Sequence, residues 1–174
     1  MKGRCNEGAA VIDAAPAGSI RIGNPADLQA LLGREITCPA TLTLTQERID
    51  QFARATDDYQ WIHVDTERAA QESPFKTTIA HGFLSLSLLS WFLERTLAME
   101  DGKMSLNYGL DRVRFVRPAA SGARLVGRFT LVTLEPHPWG TQLHWDAVVT
   151  DEADAAAGWQ KPVLAARWLT RRYD

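Results

Sequence analysis

The chain has 174 residues, of which 45% are hydrophobic and 23% charged, with a formal net charge of −2 and a pI near 6.1. That length makes one domain able to bury a core without staples, and the 19 Lys and Arg are dispersed rather than striped, which argues against nucleic acid or an acidic membrane as a partner. Cys5 and Cys38 are too few and too unpatterned for a disulfide framework or a zinc site, so a reducing, cytoplasmic compartment is expected.

Residues 1–23 are rich in Ala and Gly without a period and read as a flexible arm, leaving 24–174 as the folded domain. The apolar stretch after Lys2 and Arg4 is cut by Asp13 and Pro16, so no signal-peptide core forms. Asn24-Pro25 supplies a cap and a first-turn proline, Leu28, Leu31 and Leu32 share a helical face, and Gly33 ends that helix. Residues 41–44 alternate like a strand. Thr45 caps the next helix, in which Ile49 can staple back to Leu44 while Ile49, Phe52 and Ala53 face inward.

An irregular loop over 57–64 follows, then a short helix led by Asp65 or Thr66 and ended by Ser73-Pro74. The next helix, predicted over 79–93, has Phe83, Leu84, Leu86, Leu88, Leu89, Phe92 and Leu93 almost around its circumference, so it has to be enclosed on most sides. It is too short, and too interrupted by His81, Gly82, Ser85, Ser87 and Ser90, to span a membrane. Strand candidates at 104–117, 124–134, 142–150 and 162–171 supply the wrapper, and 153–157 reads as a turn. Arginines alternating with apolar residues along 124–131, and Arg167 and Arg171 in the last strand, mark one wet face. Short helices, one greasy helix and then antiparallel strands make an α+β fold with a sheet wrapped around a central helix.

The chemistry concentrates in Ala55-Thr56-Asp57-Asp58-Tyr59-Gln60-Trp61-Ile62-His63 and in Ala80-His81-Gly82. Four residues between Asp58 and His63 let a carboxylate and an imidazole of one loop converge on one water. Free N–H groups at the start of the helix after them favour negative charge on a bound carbonyl oxygen. Alone, either side chain is as readily a turn carboxylate or a satisfied loop imidazole.

This stretch resembles the MaoC-like dehydratase family, whose best-known members are the (R)-specific enoyl-CoA hydratases, and the resemblance runs from about Asn24 onward. Asp58, His63, Ala69, Ala70 and Ala80-His81-Gly82 fit its pattern, and Gln60-Trp61-Ile62-His63 resembles the subgroup that includes NodN-like proteins. Asp57 stands where that family usually has Gly, which points to a positive φ there. The resemblance implies a hotdog fold, a homodimer, no metal or redox cofactor, and a coenzyme A or carrier-protein thioester as substrate. It implies that water adds to a trans-2-enoyl thioester to give the (3R)-3-hydroxyacyl product, or the reverse. Asp58 and His63 then handle the water, Gly82 N–H steadies the substrate oxygen, and Ser90 stands where some (R)-hydratases carry an active-site hydroxyl.

Each of these positions also has a plainer reading. Gly82 fits tight packing about equally well, a serine at 90 commonly bonds back to its own helix, and the His81 ring is expected to bond to backbone. Tyr59, Gln60 and Trp61 shape a pocket or simply pack. Arg112, Arg114 and Arg117 are candidates for coenzyme A phosphates, although arginines on alternating strand positions are usually a solvated face. His137 and His144 lack metal-ligand spacing with His63 or His81. Two rival functions stay open: a hotdog thioesterase, and a catalytically silent acyl-binding or scaffold subunit.

Overall fold

The computed structural model describes residues 16–100, 102–157 and 161–173. Five long or short strands lie side by side in the order β2 (Glu35–Thr37), β6 (Arg124–His137), β7 (Gly140–Asp151), β8 (Leu164–Tyr173) and β5 (Met104–Phe115), all antiparallel. A short β3 (Leu42–Thr43) pairs with the start of β6. The period-two pattern decides which face is dry. Leu143, Trp145, Ala147 and Val149 of β7 and Leu164, Ala166 and Trp168 of β8 are buried on one face, while Asp146 and Arg167 form a two-bonded ion pair on the other.

Helix α5 (Gly82–Thr96) lies across the dry face and buries Leu84, Leu88, Leu89 and Phe92 in the same core. Burial of each such side chain stabilises by roughly 1.5–3 kcal/mol. Close approach needs a gap in the sheet, and Gly127 of β6 provides it: a Cβ there would stand 2.6 Å from Phe92. This is the hotdog arrangement, a sheet curled around one helix.

The helix starts three residues later than the periodicity predicts. Ile79 and Ala80 spend their N–H groups on the carbonyls of Ile62 and Ala119, at 3.0 and 2.8 Å, so the chain stays extended until His81 caps α5. Nor is α5 enclosed on most sides within one chain: Phe83 is 66% exposed and Ser87 and Glu94 are open, all on one stripe. β5 matches that open side, being an edge strand with Met104, Leu106, Tyr108, Leu110 and Phe115 all exposed.

The expected arm over 1–23 falls largely outside the described residues, Cys5 with it. Its last part belongs to the fold, because β1 (Ile20–Ile22) pairs in parallel with β4 (Leu97–Met99) and Ile22 is fully buried. The following helix, α1 (Pro25–Gln29), has the predicted Asn24 cap, strengthened by a capping box with Asp27, but ends at Ala30 before the leucine face is complete. Thr45 caps α2 (Gln46–Thr56) through Arg48 N–H at 3.2 Å, and Leu44 and Ile49 are both fully buried. Cys38 is buried and free. No helix among the described residues is long and apolar enough to cross a membrane.

Candidate active site

The site is built where α2 ends. Asp57 closes that helix in the left-handed region, at φ 56° and ψ 24°, as a residue replacing Gly must. The chain then turns so that the Asp58 carbonyl meets the His81 ring, its Nε2–H donating over 3.0 Å. Asp58 presents its carboxylate outward, with Oδ2 3.9 Å from the same ring nitrogen and Oδ1 accepting weakly from Gln60 N–H at 3.4 Å.

His63 sits on a one-turn helix, α3 (Trp61–Val64), and is 7% exposed. Its Nδ1 lies 2.7 Å from the Ile79 carbonyl oxygen, and an oxygen there can only accept, so Nδ1 carries the proton and Nε2 the free lone pair. The ring stacks on His81 with centroids 3.8 Å apart, and Phe52 leans on His81 from behind at 5.0 Å. Burial pushes the His63 pKa below its usual 6.5, outweighing the carbonyl contact, and the neighbouring His81 lowers it further while Asp58 opposes. At neutral pH the ring is therefore an uncharged base.

One carboxylate oxygen of Asp58 and one ring nitrogen each of His63 and His81 lie within 4.8 Å of one another. A single water making two hydrogen bonds of about 2.8 Å spans that gap. The same three groups are a nominal metal-ligand set, but the geometry suits a metal poorly. An imidazole lone pair lies in its ring plane, and two rings stacked 3.8 Å apart at 27° keep their lone pairs in separate, nearly parallel planes, while the His81 Nε2 that faces Asp58 already carries the proton it donates to the Asp58 carbonyl.

Gln46 holds this arrangement together, and nothing in the local sequence pattern announces it. From the first turn of α2 its Nε2 donates to the His63 carbonyl at 2.8 Å, and its Oε1 accepts from the Thr78 hydroxyl, tying the loop to the segment that leads into α5. Asp65 caps α4 (Thr66–Glu72) through Arg68 N–H, and Arg68 lies over the Trp61 ring at 4.3 Å, so Trp61 packs while Tyr59 and Gln60 stay exposed.

A cleft of about 260 Å³ opens beside this loop, lined by His63, Gly82, Ser85, Phe115 and Val163 among others. Gly82 begins α5, where its N–H has no helical acceptor. A Cβ at Gly82 would come within 2.9 Å of the Phe115 ring, so the residue also lets β5 close over the helix start. Ser90 is not brought to this cleft. It lies eight residues on, about 12 Å along the axis, where its Oγ accepts from Asn107 at 3.1 Å beside a separate cavity of about 150 Å³ walled by Leu93, Trp145 and Trp168.

The candidate phosphate arginines divide. Arg112 and Arg114 are exposed on the outer sheet face beside Arg167, whereas Arg117 is engaged by Asp154 and by the Lys161 carbonyl. His144 meets Glu135 and Gln142, and His137 packs with Trp139 and Tyr173, all remote from the loop.

With this geometry in view, known proteins place the chain. The family described as MaoC like domain matches residues 27–153. Nodulation protein N of Rhizobium leguminosarum bv. viciae is 44% identical over 146 residues, covering 83% of this chain and 88% of that protein. The 3-hydroxyacyl-thioester dehydratase Z of Mycobacterium tuberculosis is 40% identical over 146 residues, covering 84% and 93%. Among solved structures, the unliganded R-hydratase PhaJ1 from Pseudomonas aeruginosa superposes with a TM-score of 0.64 at 24% identity, covering 82% of both chains, which bears on the fold alone. By the extent of the family match and the identity to these relatives, the chain belongs to the MaoC-like dehydratase family.

Proposed function

We propose that this protein is a hydro-lyase that adds water across the C2=C3 bond of a trans-2-enoyl-coenzyme A to give the (3R)-3-hydroxyacyl thioester, or runs the reverse dehydration. The observation that carries the reading is the approach of Asp58 and His63 to within 4.8 Å, beside a cleft that contains the start of α5. In the hydration direction Asp58 orients a water, and His63 Nε2 takes its proton as the oxygen bonds to C3. The same ring then returns that proton to C2, so that one water is consumed and the base is restored. Charge that builds on the thioester oxygen in between is met by Gly82 N–H at the positive end of α5. His81 acts on this pair as a positioning residue through its bond to the Asp58 carbonyl and its stack on His63.

The relative named a 3-hydroxyacyl-thioester dehydratase supports this reading at 40% identity. A thioesterase would act on the same substrates without any need for this acid–imidazole pair. Asp57, the departure from the family's usual Gly, is absorbed by a left-handed cap that Asp tolerates, so it lends little weight to a silent subunit. Two copies of the chain pair through β5 in this reading, because an unpaired edge and an open helix stripe led by Phe83 call for a cover. The test is incubation of purified protein with crotonyl-CoA, following loss of the conjugated thioester and resolving the product's chirality. A (3R)-3-hydroxybutyryl product is expected; release of free coenzyme A, or the (3S) product, refutes the proposal.

A further inference from the structure

Helix α5 carries four hydroxyl side chains, and three of them are satisfied. Ser87 Oγ and Thr96 Oγ1 each donate to the carbonyl four residues back, Phe83 and Phe92, at 2.8 Å, as serines and threonines inside helices commonly do. Ser90 Oγ accepts from Asn107. Ser85 is different: it is 2% exposed, it lines the cleft with His63 and Gly82, and the described residues offer its Oγ no hydrogen-bond partner. That oxygen is not among the sealed side-chain atoms that lack a partner, so it keeps access to the cleft, and a hydroxyl there gives the helix nothing that alanine would not give better. What remains in reach of that oxygen is the space of the cleft.

Gly82 and Ser85 are three residues apart and so share one face of α5. From this juxtaposition we infer that Ser85 is a substrate-contacting residue whose hydroxyl donates to the thioester carbonyl oxygen alongside Gly82 N–H. The inference rests on the hydro-lyase reading for its substrate. It moves the hydroxyl that assists the reaction from Ser90, about one and a half turns further along α5, to the cleft that holds the base. The Ser85 bond strengthens as charge develops on the oxygen, so its loss falls on turnover more than on binding.

The experiment compares wild type with Ser85→Ala and Ser85→Cys, the second nearly isosteric and a poor donor. It measures crotonyl-CoA hydration, the affinity for (3R)-3-hydroxybutyryl-CoA by calorimetry, and thermal unfolding of each intact protein. The expected result is a fall in kcat of about 10²-fold for both variants, with KM changed by less than a few-fold and Tm unchanged or raised. Unchanged kcat in both variants, with wild type active, overturns the role of Ser85 and leaves the hydro-lyase reading standing. Loss of activity together with a lowered Tm in both also overturns it, since that marks a structural serine. If wild type binds the thioester but does not hydrate crotonyl-CoA, the hydro-lyase reading fails, and weakened binding by Ser85→Ala still supports the contact. If wild type neither hydrates nor binds, both fall.

Discussion

Asp57 offers the sharpest test of how the loop is held, because one backbone angle separates two outcomes. At φ 56° and ψ 24° it occupies a region that costs a residue with a Cβ about 1 kcal/mol, less for Asp than for most. Asp57→Gly removes that cost but gives the unfolded chain extra freedom worth about 0.4–1 kcal/mol, so the two nearly cancel. Asp57→Ala keeps the cost and loses the tolerance of Asp. Stability should therefore rank Gly at or slightly above Asp, and both above Ala, with about 1 kcal/mol between the extremes. For a chain of this size that is about 2–4 °C in Tm. Thermal unfolding of the three proteins reads the ranking, and the hydration assay reads the loop. Asp57→Gly should hydrate crotonyl-CoA as wild type does, because the turn that brings the Asp58 carbonyl to His81 survives. Equal Tm values for Gly and Ala would refute the left-handed cap. Loss of activity in Asp57→Gly to the level of Asp58→Asn would mean that the wrong aspartate has been assigned to the water.

Three further outcomes are expected. Asp58→Asn and His63→Gln should each lower kcat by about 10²–10⁴ with a smaller effect on KM, and the double variant should be hardly worse than the worse single one, since both serve one water; additive losses would separate their roles. Because the folded His63 is held below its usual pKa of 6.5, kcat/KM should hold through neutral pH and fall on an acid limb whose apparent pKa lies below 6.5. The same shift contributes stability that is fully present above the unfolded value of 6.5 and lost as pH falls through the folded pKa, so His63→Gln should remove both the limb and that part of the acid sensitivity. Light scattering should give about twice the 19.3 kDa chain mass, and a stable single chain would remove the β5 pairing.

Much of this architecture was legible because its signals are local. The apolar density of α5, the alternation in β7 and β8 and the Thr45 cap are each written within a few residues, and the family pattern drew attention to Asp58, His63 and Gly82. What was not legible depends on partners distant in sequence. β1 and β4 have three residues each, too few to show a period, and exist because they pair with each other across some 75 positions. The start of α5 was misplaced for the same reason: Ile79 and Ala80 have helix-compatible side chains, but their N–H groups are already taken by Ile62 and Ala119.

The two serines of α5 show the limit most clearly. Ser85 and Ser90 look alike in the sequence, and the family pattern favoured Ser90. The choice between them turns on where each hydroxyl finds a partner, which only the packing of β5 against the helix decides. Asn107 reaches across from β5 and occupies Ser90, whereas at Ser85 the neighbouring strand contributes Phe115, whose ring closes over Gly82 and can accept no ordinary hydrogen bond. The same strand thus satisfies one hydroxyl and leaves the other for a ligand. Because β5 is also an edge strand of the sheet, a second copy pairing there, as proposed, would bear on the position of Phe115 and with it on the width of the cleft. Assembly and turnover should therefore be coupled through one strand: a variant that weakens pairing at β5 should lose activity even with Asp58, His63 and Ser85 intact. A dissociated chain with full kcat would break that link.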